Sequence, residues 1–338
     1  MISKEEQPLV TVVIPTYQRP KLLRRAIQSV VDQTYTNFRL AIFDNASGDG
    51  TSEIVSAFSE EDSRVVYYCH PENIGALGNF NFGMAQVNTP FFSLLADDNY
   101  LLPEFLEEAI YCLNDHSEKT IFVGNVENVD EKGHFMSRTL DNWPSGLVHA
   151  PNGMFHIFES GFPNWEGVLF RRQLIANDGV LDPSFGGSVD QEYMVRIARN
   201  YDFYISKKVC AKFTHHSKSW TSSRAPSEYL ETVNRLLERW LQEGSWTADE
   251  QMRLRLAVNR DIESGLRGYV IKNTIIGDDL DTLNIANEFV KNTKELSTKT
   301  ITVVKIANLV NRNPVLKWIA RLFAKLHLMK YRIKLFPK

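Results

Sequence analysis

Four short apolar runs in the first hundred residues each end in a polar loop, and that repetition limits the folds open to this chain. Val10-Thr11-Val12-Val13-Ile14 breaks at Pro15-Thr16-Tyr17-Gln18-Arg19. Leu40-Ala41-Ile42-Phe43 stops at Asp44-Asn45-Ala46-Ser47-Gly48-Asp49-Gly50. Val65-Val66-Tyr67-Tyr68 leads to Asn73-Ile74-Gly75, and the run from Phe91 to Ala96 leads to Asp97-Asp98-Asn99. Runs this apolar, without polar alternation, mark strands, and the first and fourth read as buried ones. Helical stripes separate them. Pro20 suits a first helical turn, and Leu22, Leu23, Ala26, Ile27, Val30 and Val31 follow at helical spacing. Ile54, Val55 and Phe58 make a shorter stripe. Strands alternating with helices predict an α/β fold with a doubly wound, mainly parallel sheet. Its four polar loops then share the rim at the strands' carboxyl ends, where open α/β sheets bind ligands.

The loop chemistry is uneven. Asp97 and Asp98 are adjacent carboxylates, which repel unless a cation or hydrogen-bond donors stand between them. A divalent metal on a diphosphate supplies that, since Mg²⁺ bridges one or two carboxylates to phosphates. The plain alternative is a solvated loop after a strand. Asp44 and Asn45 can read a base edge by hydrogen bonding, or cap a helix before Thr51. The residues alone leave that choice open. No G-x-x-x-x-G-K-[ST] occurs, which speaks against a P-loop ATPase. Gly48-Asp49-Gly50 is not a dinucleotide fingerprint, because Glu53 stands where the third glycine belongs.

Downstream, Pro103 to Ile110 opens a helix and Thr120 to Val123 reads as a strand. From about residue 124 to 163 scattered Gly, Asn, Asp and Pro predict loops and irregular strands. Gly167 to Arg172 recovers strand character, and Gln191 to Asn200 reads as a helix entered through Ser188-Val189-Asp190. From about Pro226 the pattern is helical, so a C-terminal helical extension is expected. A length of 338 residues fits two domains, or one with an appendage. Cys69, Cys112 and Cys210 lie far apart and show no metal or disulfide spacing. Met1 to Gln7 is too acidic and polar for a signal peptide, and no apolar run is long enough to span a bilayer. A cytoplasmic setting is expected. The formal charge of −3 is unevenly spread. Beyond Glu295 there are ten Lys and Arg and no acid; setting those ten aside from the 38 leaves 28 against 41 acids, or −13. A basic tail beside an acidic body points to an anionic surface.

Taken together, the motifs resemble those of family 2 glycosyltransferases. Val12 to Arg19 looks like that family's first strand and loop, Asp44 to Thr51 like its second loop, and Glu72 to Gly75 with Asn79 like its third. Leu95-Ala96-Asp97-Asp98-Asn99, followed by Leu102-Pro103, resembles its D-x-D segment. Gly167 to Arg172, and Val189 to Glu192 with Arg196, look like its acceptor-domain strand and catalytic loop. The resemblance spans residues 8 to 220 and implies a GT-A fold that transfers a sugar from a nucleotide-diphosphate donor, a UDP- or dTDP-sugar. It implies nucleotide binding by Pro15, Thr16, Tyr17, Arg19, Asp44, Asn45, Asn73, Gly75, Asn79, Asp97 and Asp98. Many members have a third acid where this chain has Asn99, so the divalent metal, Mg²⁺ or Mn²⁺, is assigned to Asp98. His215 and His216 are adjacent and on a strand would face opposite ways. The resemblance favours His216 for the metal or diphosphate; a structural histidine is the alternative.

The acceptor hydroxyl needs a general base. Asp190 matches the family's base position and implies inversion; its plain reading is a helix N-cap. Glu192 is the substitute, and it joins Trp165 and Glu166 as an acceptor-binding candidate. Trp165 can stack on a sugar ring or pack in the core. The implied organisation is a nucleotide-sugar half over 1–102, an acceptor and catalytic half over 103–225, and a helical region over 226–338. In the tail, Val315, Leu316, Ile319, Leu322, Phe323 and Leu326 make one face and Lys317, Arg321 and Lys325 another, with Trp318 and Tyr331 placed for a headgroup region. Peripheral membrane contact through 314–336 is expected, at the inner face of the cell membrane; the alternative is a helix packed on the acidic body. The basic residues lie on one terminal amphipathic helix, which argues against nucleic acid as partner. The expected acceptor is a bacterial surface glycan, such as O-antigen or capsule, on a lipid carrier. Two rivals remain: a sugar-phosphate nucleotidyltransferase, which would carry a glycine-rich basic loop where Pro15-Thr16-Tyr17 stands, and a non-catalytic nucleotide- or glycan-binding protein.

Overall fold

A computed structural model describes residues 8–216, 226–271, 280–292 and 296–320. They divide at His215–His216 into two compact units.

The first unit begins with β1 (Val10–Thr16), α1 (Pro20–Val31), β2 (Phe38–Asp44), α2 (Thr51–Glu61), β3 (Val65–Cys69), α3 (Ala76–Ala85) and β4 (Phe91–Leu94). Every residue of β1 is buried, as its unbroken apolar run requires. β1 pairs in parallel with β2 and β4, and β2 with β3. α1 turns Leu23, Ala26, Ile27 and Val30 inward. They join Val12, Ile14, Leu40, Ile42 and Val55 in one core that continues to Phe105, Phe122 and Leu169.

β5 (Tyr100–Leu101), α4 (Phe105–Asn114), β6 (Thr120–Asp130), β7 (Phe135–Arg138), β8 (Gly146–Val148), α5 (Asn152–Ser160), β9 (Val168–Arg171), α6 (Gln173–Asp178), α7 (Val189–Ala198) and β10 (Asp202–His215) complete the unit. The sheet order is β3-β2-β1-β4-β9-β6-β10-β5, with β7 on β6 and β8 on β10. β6 and β10 are parallel, while β9 runs antiparallel to both β4 and β6. The result is a mixed α/β fold around a mostly parallel central sheet.

Three elements depart from the sequence reading. The strand at Thr120 runs on to Asp130, because β10 stays paired with it past register shifts at Ser206 and Val209. The stretch expected to be irregular contains α5, which buries Met154, Phe155, Ile157 and Phe158. Local composition understates such a helix, whose stability comes from packing rather than propensity. α7 begins at Val189 with Ser188 in the capping position, so Asp190 lies inside the first turn instead of before it.

The strand β9 approaches β6 closely. A Cβ built on Gly167 would stand 2.5 Å from the Gly124 carbonyl oxygen and 2.8 Å from Val126 Cγ2. Backbone cannot yield as a flexible side chain can, so only glycine fits there.

The second unit is helical: α8 (Pro226–Glu243), α9 (Ala248–Tyr269), α10 (Leu280–Asn292) and α11 (Thr298–Arg312). Leu266, Val270, Leu283, Ala286, Val304 and Ala307 form a core of their own. Thr247 and Glu250 make a reciprocal capping box that starts α9. Residues 314–320 are helical, with Val315 and Trp318 about two-thirds exposed (64% and 65%). Of the expected membrane face, Leu322, Phe323 and Leu326 lie outside the described residues, as do Arg321, Lys325 and Tyr331. Among the described residues no helix is long and apolar enough to cross a membrane.

Gly167→Ala is expected to lower stability by about 1–3 kcal/mol through overpacking. Urea denaturation checks this; an unchanged midpoint would show that β9 can move aside.

Candidate active site

The rim is built from strand ends. Thr16 closes β1, and the turn after β4 carries Asp97, Asp98 and Asn99. Thr16 Oγ1 donates to Asp97 Oδ2 at 2.8 Å. Arg19 Nη1 lies between the two acids, 3.1 Å from Asp97 Oδ1 and 2.8 Å from Asp98 Oδ2. Burial pushes the Asp97 pKa up to about 6 even though Arg19 pulls it down; the neighbouring Asp98 charge adds to the rise. Burial also works against the Arg19 charge, but Asp97 and Asp98 outweigh it and hold the guanidinium above its ordinary value. Arg25 donates to the Asp98 carbonyl at 2.5 Å and to Thr214 Oγ1 at 3.0 Å, fixing the acidic turn against β10.

Asn99 ties three segments together. Its Oδ1 accepts from Thr214 N at 2.8 Å, and its Nδ2 donates to Glu166 Oε1 at 2.7 Å. Glu166 reaches this rim because β9 is antiparallel, so the residues before it lie beside the carboxyl end of β4. Trp165 Nε1 also donates to Glu166 Oε1, at 3.2 Å, and its half-buried ring lies 5.0 Å from that of Phe80. Glu166 is 1% exposed. Burial pushes its pKa up to about 8; its own backbone N–H and Asn99 oppose this, and the charges of Asp98 and Asp190 add to it. Asp190 is half-buried, and its Oδ1 accepts from Gln191 N at 2.8 Å.

The second and third loops form a neighbouring network. Asn45 N donates to the Thr16 carbonyl, and Gln18 N to Ser47 Oγ, joining the loops after β1 and β2. Asn45 Nδ2 donates to Asn73 Oδ1, while Asn45 Oδ1 accepts from Ile74 N, both at 2.8 Å. Asn73 Oδ1 also accepts from Gly75 N, whose φ of 79° suits glycine. Tyr17 and Asn73 are exposed beside these loops.

Several expected site residues face inward. Asp44 is 2% exposed; it accepts from Ser47 N, from Ser47 Oγ at 2.5 Å and from Tyr67 OH at 2.7 Å. Asn79, expected near the nucleotide, donates to the Phe43 carbonyl and accepts from His70 Nε2, so its amide joins β2 to the segment after β3. Glu192, expected as a substitute base and acceptor ligand, is fully buried. Arg196 holds it through two 2.8 Å contacts and also donates to the Asp178 and Val180 carbonyls. A buried carboxylate so held needs its arginine to stay charged. Glu166 is likewise inside, behind Asn99, and not on an open acceptor face.

The donors at the acidic turn are all oxygens. Two carboxylate oxygens already converge on one cationic nitrogen, and all-oxygen donors suit Mg²⁺ or Mn²⁺ completed by phosphate and water. The pair fits such an ion. Among the described residues no three His, Cys, Asp or Glu form a group able to hold a metal. His216 is half-buried after the end of β10 and belongs to no such group, unlike the expectation for it. Sequence reasoning missed Arg25, Thr214, Gln18 and Ser47; nothing in the pattern sets Arg25 apart from its neighbour Arg24.

The profile of glycosyl transferase family 2 matches residues 11–176. An uncharacterised glycosyltransferase of Rickettsia typhi is 30% identical over 218 residues, 64% of this chain and 67% of its own length. The chain belongs to glycosyltransferase family 2. Another relative, from Rickettsia bellii, is 28% identical over 255 residues, 72% of this chain; the match spans only 35% of that longer protein. Among solved structures, residues 1–349 of Staphylococcus aureus TarS, seen in complex with UDP, superpose with a TM-score of 0.63 at 14% identity, over 94% of this chain and 91% of that one. A mannosyltransferase of Pyrobaculum calidifontis, in complex with GDP-Man and Mn²⁺, gives 0.53 at 15% identity, over 95% and 89%. At such identities the likeness shows the fold, GT-A.

Folding raises the Glu166 pKa, so its contribution to stability is full below its ordinary value and is lost as pH climbs through about 8. Glu166→Gln removes that titration. From about pH 5 to about pH 8 the wild-type unfolding temperature is expected to fall more steeply than the variant's. Calorimetry checks this; parallel curves would contradict it.

Proposed function

We propose that this chain is an inverting glycosyltransferase that moves a sugar from a UDP- or dTDP-sugar to a hydroxyl of a surface-glycan acceptor. The observation that carries the reading is the acidic cluster at the strand ends: Asp97 and Asp98 converge on Arg19, and Asn99 of the same turn ties it to Glu166 at the entry to β9. In this reading Asp190, from the downstream segment, faces the same cluster. Complexes of similar folds with UDP, UDP-GlcNAc and GDP-Man support a nucleotide-sugar donor.

In this reading residues 1–102 hold the donor and residues 103–225 present the acceptor. Pro15, Thr16 and Tyr17 flank the base, with the Asn45-braced Asn73–Gly75 loop beside them. Asp98 would hold Mg²⁺ or Mn²⁺, which stabilises charge on the departing diphosphate. Asp190 takes the proton from the acceptor hydroxyl as that oxygen bonds to the anomeric carbon. The bond to the diphosphate breaks on the opposite face, so the configuration inverts. Trp165 offers a ring face to an acceptor sugar. Exposed Val315 and Trp318 beside Lys317 support peripheral contact with the inner face of an anionic membrane, where a lipid-linked acceptor is found.

Asp190→Asn is expected to slow transfer by about 10²–10⁴-fold, the range for losing a general base. The variant should still be stabilised against heat by UDP, since a bound ligand raises apparent stability. Full transfer by Asp190→Asn would remove the base assignment. Asp98→Ala is expected to abolish the extra thermal stabilisation that Mn²⁺ gives to UDP binding, and transfer undiminished in EDTA would remove the metal.

A further inference from the structure

We propose that Arg19 is the resident counter-cation of the Asp97–Asp98 pair, competing with a divalent metal until a nucleoside diphosphate draws its guanidinium away. This rests on the nucleotide-sugar reading above and deepens it. The geometry is that of a cation site already filled from within. One guanidinium nitrogen lies 3.1 Å from Asp97 Oδ1 and 2.8 Å from Asp98 Oδ2. The acids cannot follow an outgoing partner. Asp97 is also held by Thr16 Oγ1, and the two acid side chains are only 6% and 13% exposed. The Arg19 side chain is 35% exposed, so the arginine is the member of the cluster that a ligand can reach from solvent.

Its backbone is anchored while its side chain reaches. The Arg19 carbonyl accepts from Leu22 N and Leu23 N, and Pro20 opens α1 immediately after it. Gln18, at φ 52°, is pinned by Ser47 and aims the following residue at the acids. A guanidinium matches phosphate oxygens in a two-pronged fashion, so a diphosphate is a partner able to compete with the carboxylates for it. Once it leaves, two neighbouring carboxylates repel unless another cation enters. Metal alone must displace the arginine; metal with a diphosphate need not. The two should therefore bind with positive coupling, and coupling is reciprocal.

Binding of Mn²⁺ to the full chain, followed by the free-ion electron paramagnetic resonance signal with and without UDP, tests this. In the wild type UDP is expected to tighten Mn²⁺ by about tenfold or more. Arg19→Gln and Arg19→Met, two variants of different polarity, should each bind Mn²⁺ alone about tenfold tighter and lose the part of that coupling that Arg19 supplies, since the guanidinium no longer competes for the acids. Arg19→Lys, which keeps the charge, should return Mn²⁺ affinity toward the wild type. The inference is overturned if the wild type couples Mn²⁺ to UDP while folded Gln and Met variants hold Mn²⁺ alone no tighter than it does. A wild type that binds no UDP with or without Mn²⁺ would instead overturn the nucleotide-sugar reading on which it rests.

Discussion

The rim is held in shape by one amide. Asn99 is 1% exposed and spends both ends of its side chain inside the protein, accepting from the backbone of β10 and donating to Glu166. Through it the acidic turn after β4, the end of β10 and the entry to β9 keep fixed distances. A carboxylate here could accept from Thr214 N but could not donate to Glu166. An acid in this place would set two buried carboxyls side by side, which could not both ionise without repelling and would have to share a proton. Asn99 is thus a cross-link that joins the acidic turn to β10 and to Glu166 without needing a proton.

Charge at this rim is kept low by two devices. The Arg19 guanidinium offsets Asp97 and Asp98, and the burial of Glu166 favours its neutral form. Each reduces the repulsion that an incoming diphosphate would meet from clustered carboxylates. They differ in reach: the arginine is partly exposed, whereas the neutral acid is sealed behind Asn99 and Trp165.

Most of the donor half was readable because its signals are local. Unbroken apolar runs, a proline after a strand and loops of Asp, Asn and Gly place β1 to β4 and their rim without any long-range information. What was unreadable depends on partners far away in sequence. Glu166 meets Asn99 across 67 positions, and Arg25 meets Thr214 across 189. No periodicity encodes such pairs. Asn79 and Glu192 sit where motif matching expects ligands, yet neighbours such as Phe43 and Arg196 claim them for the interior. The α5 helix was hidden for a related reason, since its buried face is defined by contacts with α7 and not by its own composition.

The reversed direction of β9 changes what can reach the rim. Every parallel strand delivers its exit to the rim, so lengthening the loop that follows displaces the residues that loop presents. At β9 the rim receives the entry, so Trp165 and Glu166 are positioned by the segment that arrives, and the close crossing at Gly167 holds that segment against β6. A side chain at the close crossing of Gly167 would therefore disturb the rim from its entry side, through backbone and not through a loop.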